Sequence, residues 1–167
     1  MPFTPYHFGP SACVSLPLAR YIDVPVFVFA NVIVDIEPLS VMVFGLNYPL
    51  HGYCHTFLIG CLVGILWAGI AYAGRNIIQK AMKLLQLSYT AIFGKMLISA
   101  ILGVWFHVIL DSMIYSDIKP FYPFKFNPMR GIVTASSLYM ICAISFIPAL
   151  AIYGAKVLSL RKRSKGD

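Results

Sequence analysis

Charge is what this sequence has least of. Aspartate, glutamate, lysine and arginine together make up 11% of its 167 residues, against about a quarter in an ordinary soluble domain, and only six are acidic. With 59% hydrophobic residues, a water-soluble fold of this length would lack the polar side chain needed to cover its surface. The shortage excludes a soluble globular domain and predicts an integral membrane protein, long enough for about four spans in one bundle. Cysteine is also sparse. Cys13, Cys54, Cys61 and Cys142 lie in apolar segments without CxxC spacing, which predicts buried free thiols rather than a disulfide framework or a zinc ribbon. The first basic residue is Arg20, and no charged leader with an A-x-A site precedes it, so no cleavable signal peptide is expected. There is no internal repeat, phosphate-binding glycine loop, nucleophile elbow or HExxH pair.

The net charge of +7 could suggest nucleic acid. Its placement argues otherwise, because the cations fall in short clusters beside apolar runs and end in Arg161-Lys-Arg-Ser-Lys165. That is the topology signal of a multi-pass membrane protein, and no nucleic-acid partner is expected. Arg75, Lys80, Lys83, Lys95, Lys156 and the tail gather at one set of segment ends, against Lys119, Lys125 and Arg130 at the other. The positive-inside rule then places the 159–167 tail in the cytoplasm.

The spans follow the apolar runs: 51–73, 96–114 and 131–158. Between the first two, residues 75–85 alternate charge and apolar side chain with helical period, as in a helix lying on a membrane surface. Residues 39–50 read as an interfacial connection. The 1–38 segment holds two apolar pieces, each too short to cross. Thr4-Pro5 reads as a cap with proline at the first helical position, opening a helix that ends near Arg20. The second piece, 25–34, ends at Asp35-Ile-Glu37-Pro38. A re-entrant hairpin with Arg20 and Asp23 near its tip is expected, with one kinked span as the alternative. The hairpin would bring His7 and Asp35 to one level. The expected fold is an all-α membrane bundle of about four transmembrane helices plus this hairpin, in a single domain.

Against that background the few polar groups stand out. The chain has four histidines and six acidic residues, and seven of these ten lie in a handful of motifs. In His51-Gly-Tyr-Cys-His55-Thr and in His107-Val-Ile-Leu-Asp111 the i, i+4 spacing would put each pair on one helix face. With the orientation above, both pairs and the His7/Asp35 level fall in the same outer layer. Ionisable groups at such depth are functional candidates by default. His7, Asp35, His51, His55, His107 and Asp111 are therefore candidate ligands of a divalent metal. Imidazoles with carboxylates suit zinc, with manganese or iron also possible. Glu37, beside Asp35, is the candidate general base for water activated by that metal. The bland alternatives are interhelical hydrogen bonds for His107/Asp111, interfacial histidines for His51/His55, solvation for His7 and turn capping for Asp35/Glu37. Lys125 and Arg130 could clamp a phosphate or simply snorkel to headgroups.

Several of these stretches together resemble a known family. They are Phe3-Thr-Pro-Tyr-His7, Asn31-Val-Ile-Val-Asp35-Ile-Glu37-Pro38, Tyr48-Pro-Leu-His51-Gly-Tyr-Cys-His55-Thr, His107-Val-Ile-Leu-Asp111-Ser and the Lys119-Pro-Phe-Tyr-Pro-Phe loop. The chain resembles the bacterial and archaeal membrane-bound metal-dependent hydrolases, described as distantly like zinc phospholipase C. Many members carry Arg-Gly where this chain has His51-Gly. The resemblance implies an inner (plasma) membrane protein with His7, Asp35, His55, His107 and Asp111 as the core metal set. The expected activity is hydrolysis at the outer membrane face, of a lipid phosphoester, with membrane lipids as partners. A non-catalytic membrane module and a small transporter, with a structural metal or polar cluster, are the alternative functions. Oligomeric state is not legible.

Overall fold

The computed structural model describes residues 5–166, with side chains as far as residue 162. Thr4 and the end of the basic tail lie outside what it describes. Among the described residues every regular element is helical: α1 (Pro5–Ser15), α2 (Val24–Val34), α3 (Ile36–Phe44), a 3₁₀ turn (Tyr53–His55), α4 (Phe57–Ala73), α5 (Arg75–Leu84), α6 (Phe93–Ser112) and α7 (Ala135–Gly166). Val24–Phe44, Phe93–Ser112 and Ala135–Lys162 are long and apolar enough to cross a membrane. A fourth crossing is counted if α4 and α5, bent by 73° where they meet, form one broken span.

Local chemistry explains where the helices start and stop. Asp23 caps α2, its carboxylate accepting the Val26 N–H at 3.3 Å, and Pro25 sits in the first turn. The expectation that this segment stops at Pro38 is corrected. Helix resumes at Ile36 and continues to Gly45, whose φ of +58° ends it in the left-handed region open to glycine. Pro38 cannot donate to the Val34 carbonyl and its ring crowds it, so the helix breaks one turn earlier, at Asp35, without ending. Residues 39–44 are therefore helix, within a segment long and apolar enough to cross a membrane, and not a connecting loop. The next helix begins at Phe57 rather than His51, because Thr56 Oγ1 accepts the Ile59 N–H at 3.1 Å and fixes the helix start there. The last helix starts at Ala135 and carries the basic segment helically to Gly166.

The bundle is organised around α6, which packs on α2 and α4, while α1 lies along α7. Close contacts between helices are made by small residues, which let the backbones approach. A Cβ on Gly103 would stand 2.6 Å from the Phe27 carbonyl oxygen and 2.7 Å from Ala30 Cβ; one on Gly64 would stand 2.9 Å from Ile101 Cα. Val26, Ala68, Ala71, Met96 and Ala100 fill one core layer, and Ala30, Val34, Val104 and Val108 the next. The indoles of Trp67 and Trp105 donate to the Val26 and Phe57 carbonyls at 2.9 and 3.0 Å. Large apolar side chains on α4 and α7, such as Leu62, Leu66, Ile147 and Leu150, are exposed in the isolated chain. Gly103→Ala is expected to destabilise the bundle by about 1–3 kcal/mol, since the clash is with backbone that cannot rotate away. A lower melting temperature in detergent would bear this out; an unchanged one would mean that α2 and α6 are not held this close.

Candidate metal centre

The kink at Asp35 and the last turns of α6 face each other, and the site is built between them. α6 presents His107 and Asp111 four residues apart, both buried. The break between α2 and α3 brings in Asp35, and the 3₁₀ turn before Thr56 brings in His55, fully buried. One ligand-type atom from each of Asp35, His55, His107 and Asp111 lies within 4.8 Å of the others. His107 Nε2 is 3.3 Å from Asp35 Oδ1 and 3.4 Å from Asp111 Oδ2, and His55 Nε2 is 3.8 Å from Asp35 Oδ1. Ligands around a tetrahedral ion with bonds near 2.0 Å stand about 3.3 Å apart.

The orphaned atoms point the same way. His55 Nε2, His107 Nε2 and Asp111 Oδ1 are buried and make no hydrogen bond, although oppositely chargeable atoms lie close by. A buried polar atom left so costs about 1–3 kcal/mol. The other ring nitrogens are engaged: His55 Nδ1 lies 3.0 Å from Glu37 Oε2, and His107 Nδ1 lies 3.1 Å from His7 Nδ1. If each of these Nδ1 atoms donates, a tautomer assigned from the hydrogen-bond network, both Nε2 atoms present lone pairs toward carboxylate oxygens. Acceptors then face acceptors around one point, which a cation resolves. No lysine or arginine pairs with Glu37, Asp111 or Asp117 among the described residues. The His/Asp group can hold a metal ion, and its donor atoms fit one.

Around these four stand the residues that hold them. His7, from α1, touches both α6 ligands, its Nε2 lying 3.3 Å from Asp111 Oδ1. His7 and Asp35 thus meet in one cluster, His7 through Asp111 and Asp35 through His107. Glu37 was expected to be a general base, and the structure places it elsewhere. Its oxygens accept the Gly52 and Cys54 N–H groups at 3.0 and 3.2 Å as well as meeting His55 Nδ1. All of this lies behind the His55 ring, away from the point where the Nε2 atoms converge. Glu37 holds the His55 ring and the backbone of the turn that carries it. His51 was expected to share a helix face with His55. The backbone there is a turn, yet the two rings still come within 4.8 Å, edge to face.

His51 has a partner the sequence did not reveal. Asp117, in the loop after α6, accepts the His51 backbone N–H at 3.1 Å and lies 3.0 Å from its Nδ1, while the Tyr115 ring packs on the imidazole at 4.2 Å. Burial, and then the neighbouring His55, push the His51 pKa below its ordinary value, against the opposing pull of Asp117. Burial alone would raise Asp117; the His51 backbone N–H and ring outweigh it and hold the carboxyl below its usual range. The loop's only sequence signal was an acidic residue six positions beyond Asp111. Cys54 keeps its thiol proton: burial and then Glu37 push its pKa up to about 11. Lys125 and Arg130 are exposed on the same loop.

No family model, curated protein or solved structure matches this chain.

Proposed function

We propose that Asp35, His55, His107 and Asp111 hold one divalent cation, zinc by their donor set, and that the chain is a membrane-embedded hydrolase of phosphoesters. The observation that carries this reading is the convergence of imidazole and carboxylate atoms from three separate elements on one point, those of His55, His107 and Asp111 being buried without a hydrogen-bond partner. The likeness of the His7, Asp35, His55 and His107/Asp111 motifs to the membrane-bound metal-dependent hydrolases supports the same assignment. A divalent ion at such a centre supplies Lewis acidity and makes water a nucleophile near neutral pH.

The chain's own groups do the rest. Glu37 fixes the His55 ring and His7 braces His107, so both imidazoles keep Nε2 turned inward. His51, anchored at Nδ1 by Asp117, has Nε2 free to take a proton from water and return it to the leaving oxygen. Lys125 and Arg130, exposed on the loop at the same end of the bundle, would neutralise a phosphate. The substrate class follows from position: a polar centre at one end of apolar spans meets the headgroup layer, where phosphoesters are plentiful.

Hydrolysis of phospholipids in detergent micelles tests the reading. Turnover that is lost on chelation and restored by zinc is expected. The full burial of His55 and His107 favours a second reading, a structural metal centre that locks the bundle. Metal retained with no turnover on any phosphoester would decide for it.

The basic residues further support a cytoplasmic C-terminus and a metal centre facing outward across an inner membrane. A reporter fused after Asp167 is expected to be active only on the cytoplasmic side; activity only outside would reverse the orientation.

A further inference from the structure

The other end of the bundle holds a second polar feature. A cavity of about 370 Å³ lies between the 16–23 turn, the 87–90 loop, Lys95 at the start of α6 and Lys156 and Ser159 on α7. Lys95 and Asp111 sit near opposite ends of α6, about 24 Å apart at 1.5 Å rise per residue. The cavity is therefore separate from the metal centre.

Its charge is unbalanced. Arg20, Lys95 and Lys156 line it, against one carboxylate, Asp23. That carboxylate is already committed, buried and accepting from the Val26 N–H at 3.3 Å and the Tyr89 hydroxyl at 2.9 Å. Its backbone N–H donates to Ser99 Oγ at 2.7 Å, which ties the turn to α6. Lys95 gives one proton to the Ala19 carbonyl at 2.6 Å and keeps two N–H donors. The Lys156 ammonium and the Arg20 guanidinium make no hydrogen bond or ion pair among the described residues, although Arg20 lies 5.8 Å from the Tyr21 ring. The hydroxyls of Ser88, Thr90 and Ser159 add neutral donors, while Leu16 and Met82 supply apolar wall. Cations and hydroxyls around a half-apolar cavity match a phosphate carried on, or beside, an apolar group.

We propose that this cavity binds a phosphate group between Arg20, Lys95 and Lys156, presented by an anionic phospholipid or free in solution. Ordinary snorkelling would bring the same cations to headgroups without discriminating among them. A cavity lined by three cations discriminates.

Native mass spectrometry of the full chain in detergent, titrated with phosphatidylglycerol, phosphatidylcholine or inorganic phosphate, tests this. One molecule of phosphatidylglycerol is expected to bind well ahead of phosphatidylcholine. Inorganic phosphate that displaces it at millimolar level would identify free phosphate as a ligand; failure to displace it would identify the lipid. The Arg20→Gln/Lys156→Gln variant is expected to bind phosphatidylglycerol roughly thirtyfold more weakly, at the usual contribution of a cation near an anionic headgroup. Arg20→Lys/Lys156→Arg should bind as wild type, which separates lost charge from lost folding. Lys80→Gln, exposed on α5 and outside the cavity lining, should leave this binding unchanged. Equal binding of the two lipids with no phosphate binding, or equal loss in the Lys80 variant, would overturn the proposal.

Discussion

His107→Ala is expected to weaken metal binding by more than about a hundredfold and to bring phosphoester turnover to background. Residues that merely orient a ligand commonly account for 10–100-fold in affinity, so a ligand lost outright should cost at least the upper end of that range. His107 is the hub of the site: Nε2 faces both Asp35 and Asp111, and Nδ1 meets His7. Without the ring, two carboxylates remain in a buried layer with less to offset them. Breaking a buried charge pair this way costs about 3–5 kcal/mol, so a lower melting temperature should accompany the metal loss. His55→Ala should behave alike, and the double variant should lose little more than either single one, because residues acting as one site are not additive. Metal analysis of the purified variants checks both points. Independent, additive losses would mean that the two histidines serve separate structural roles.

Glu37→Gln is expected to lower metal affinity by roughly 10–100-fold, the usual effect of removing a carboxylate that holds a ligand imidazole. The alternative assignment, a general base, would leave metal content intact and reduce turnover alone. Geometry favours the first. Glu37 Oε2 lies 3.0 Å from His55 Nδ1, and its two oxygens also hold the backbone of Gly52 and Cys54. A Gln side chain can still accept from one of these N–H groups through its carbonyl oxygen, so the turn should fold while His55 loses its anionic partner. Competition against a zinc-sensitive dye, with turnover measured alongside at saturating zinc, separates the outcomes. Weak binding with activity recovered at high zinc is the expected result, and unchanged affinity with lost activity would restore the base assignment.

The all-helical architecture, with helices long and apolar enough to cross a membrane, was legible because 3.6-residue periodicity and the scarcity of charge are local properties of a sequence. The pairing of His107 with Asp111 was legible for the same reason, since both lie within one regular helix. His51 and His55 were found by a helix that does not exist at those residues; Thr56 starts it later, and a 3₁₀ turn brings the rings together instead. The kink at Asp35 was hidden because proline three residues on reads equally as a stop or as a bend. Asp117 and the true place of Glu37 were not legible at all. Each depends on a partner 18 to 66 residues away, and nothing in local spacing records tertiary pairing. The basic cavity was visible only as scattered topology charges until the turn, loop and two helices met.

X-ray absorption at the metal edge, on the full chain purified without added chelator, tests the central claim most directly. One ion per chain is predicted, bound only by nitrogen and oxygen at about 2.0–2.1 Å, with the multiple scattering of two imidazoles, those of His55 and His107. Absence of a stoichiometric ion after zinc is supplied, or a sulfur shell near 2.3 Å, would contradict it.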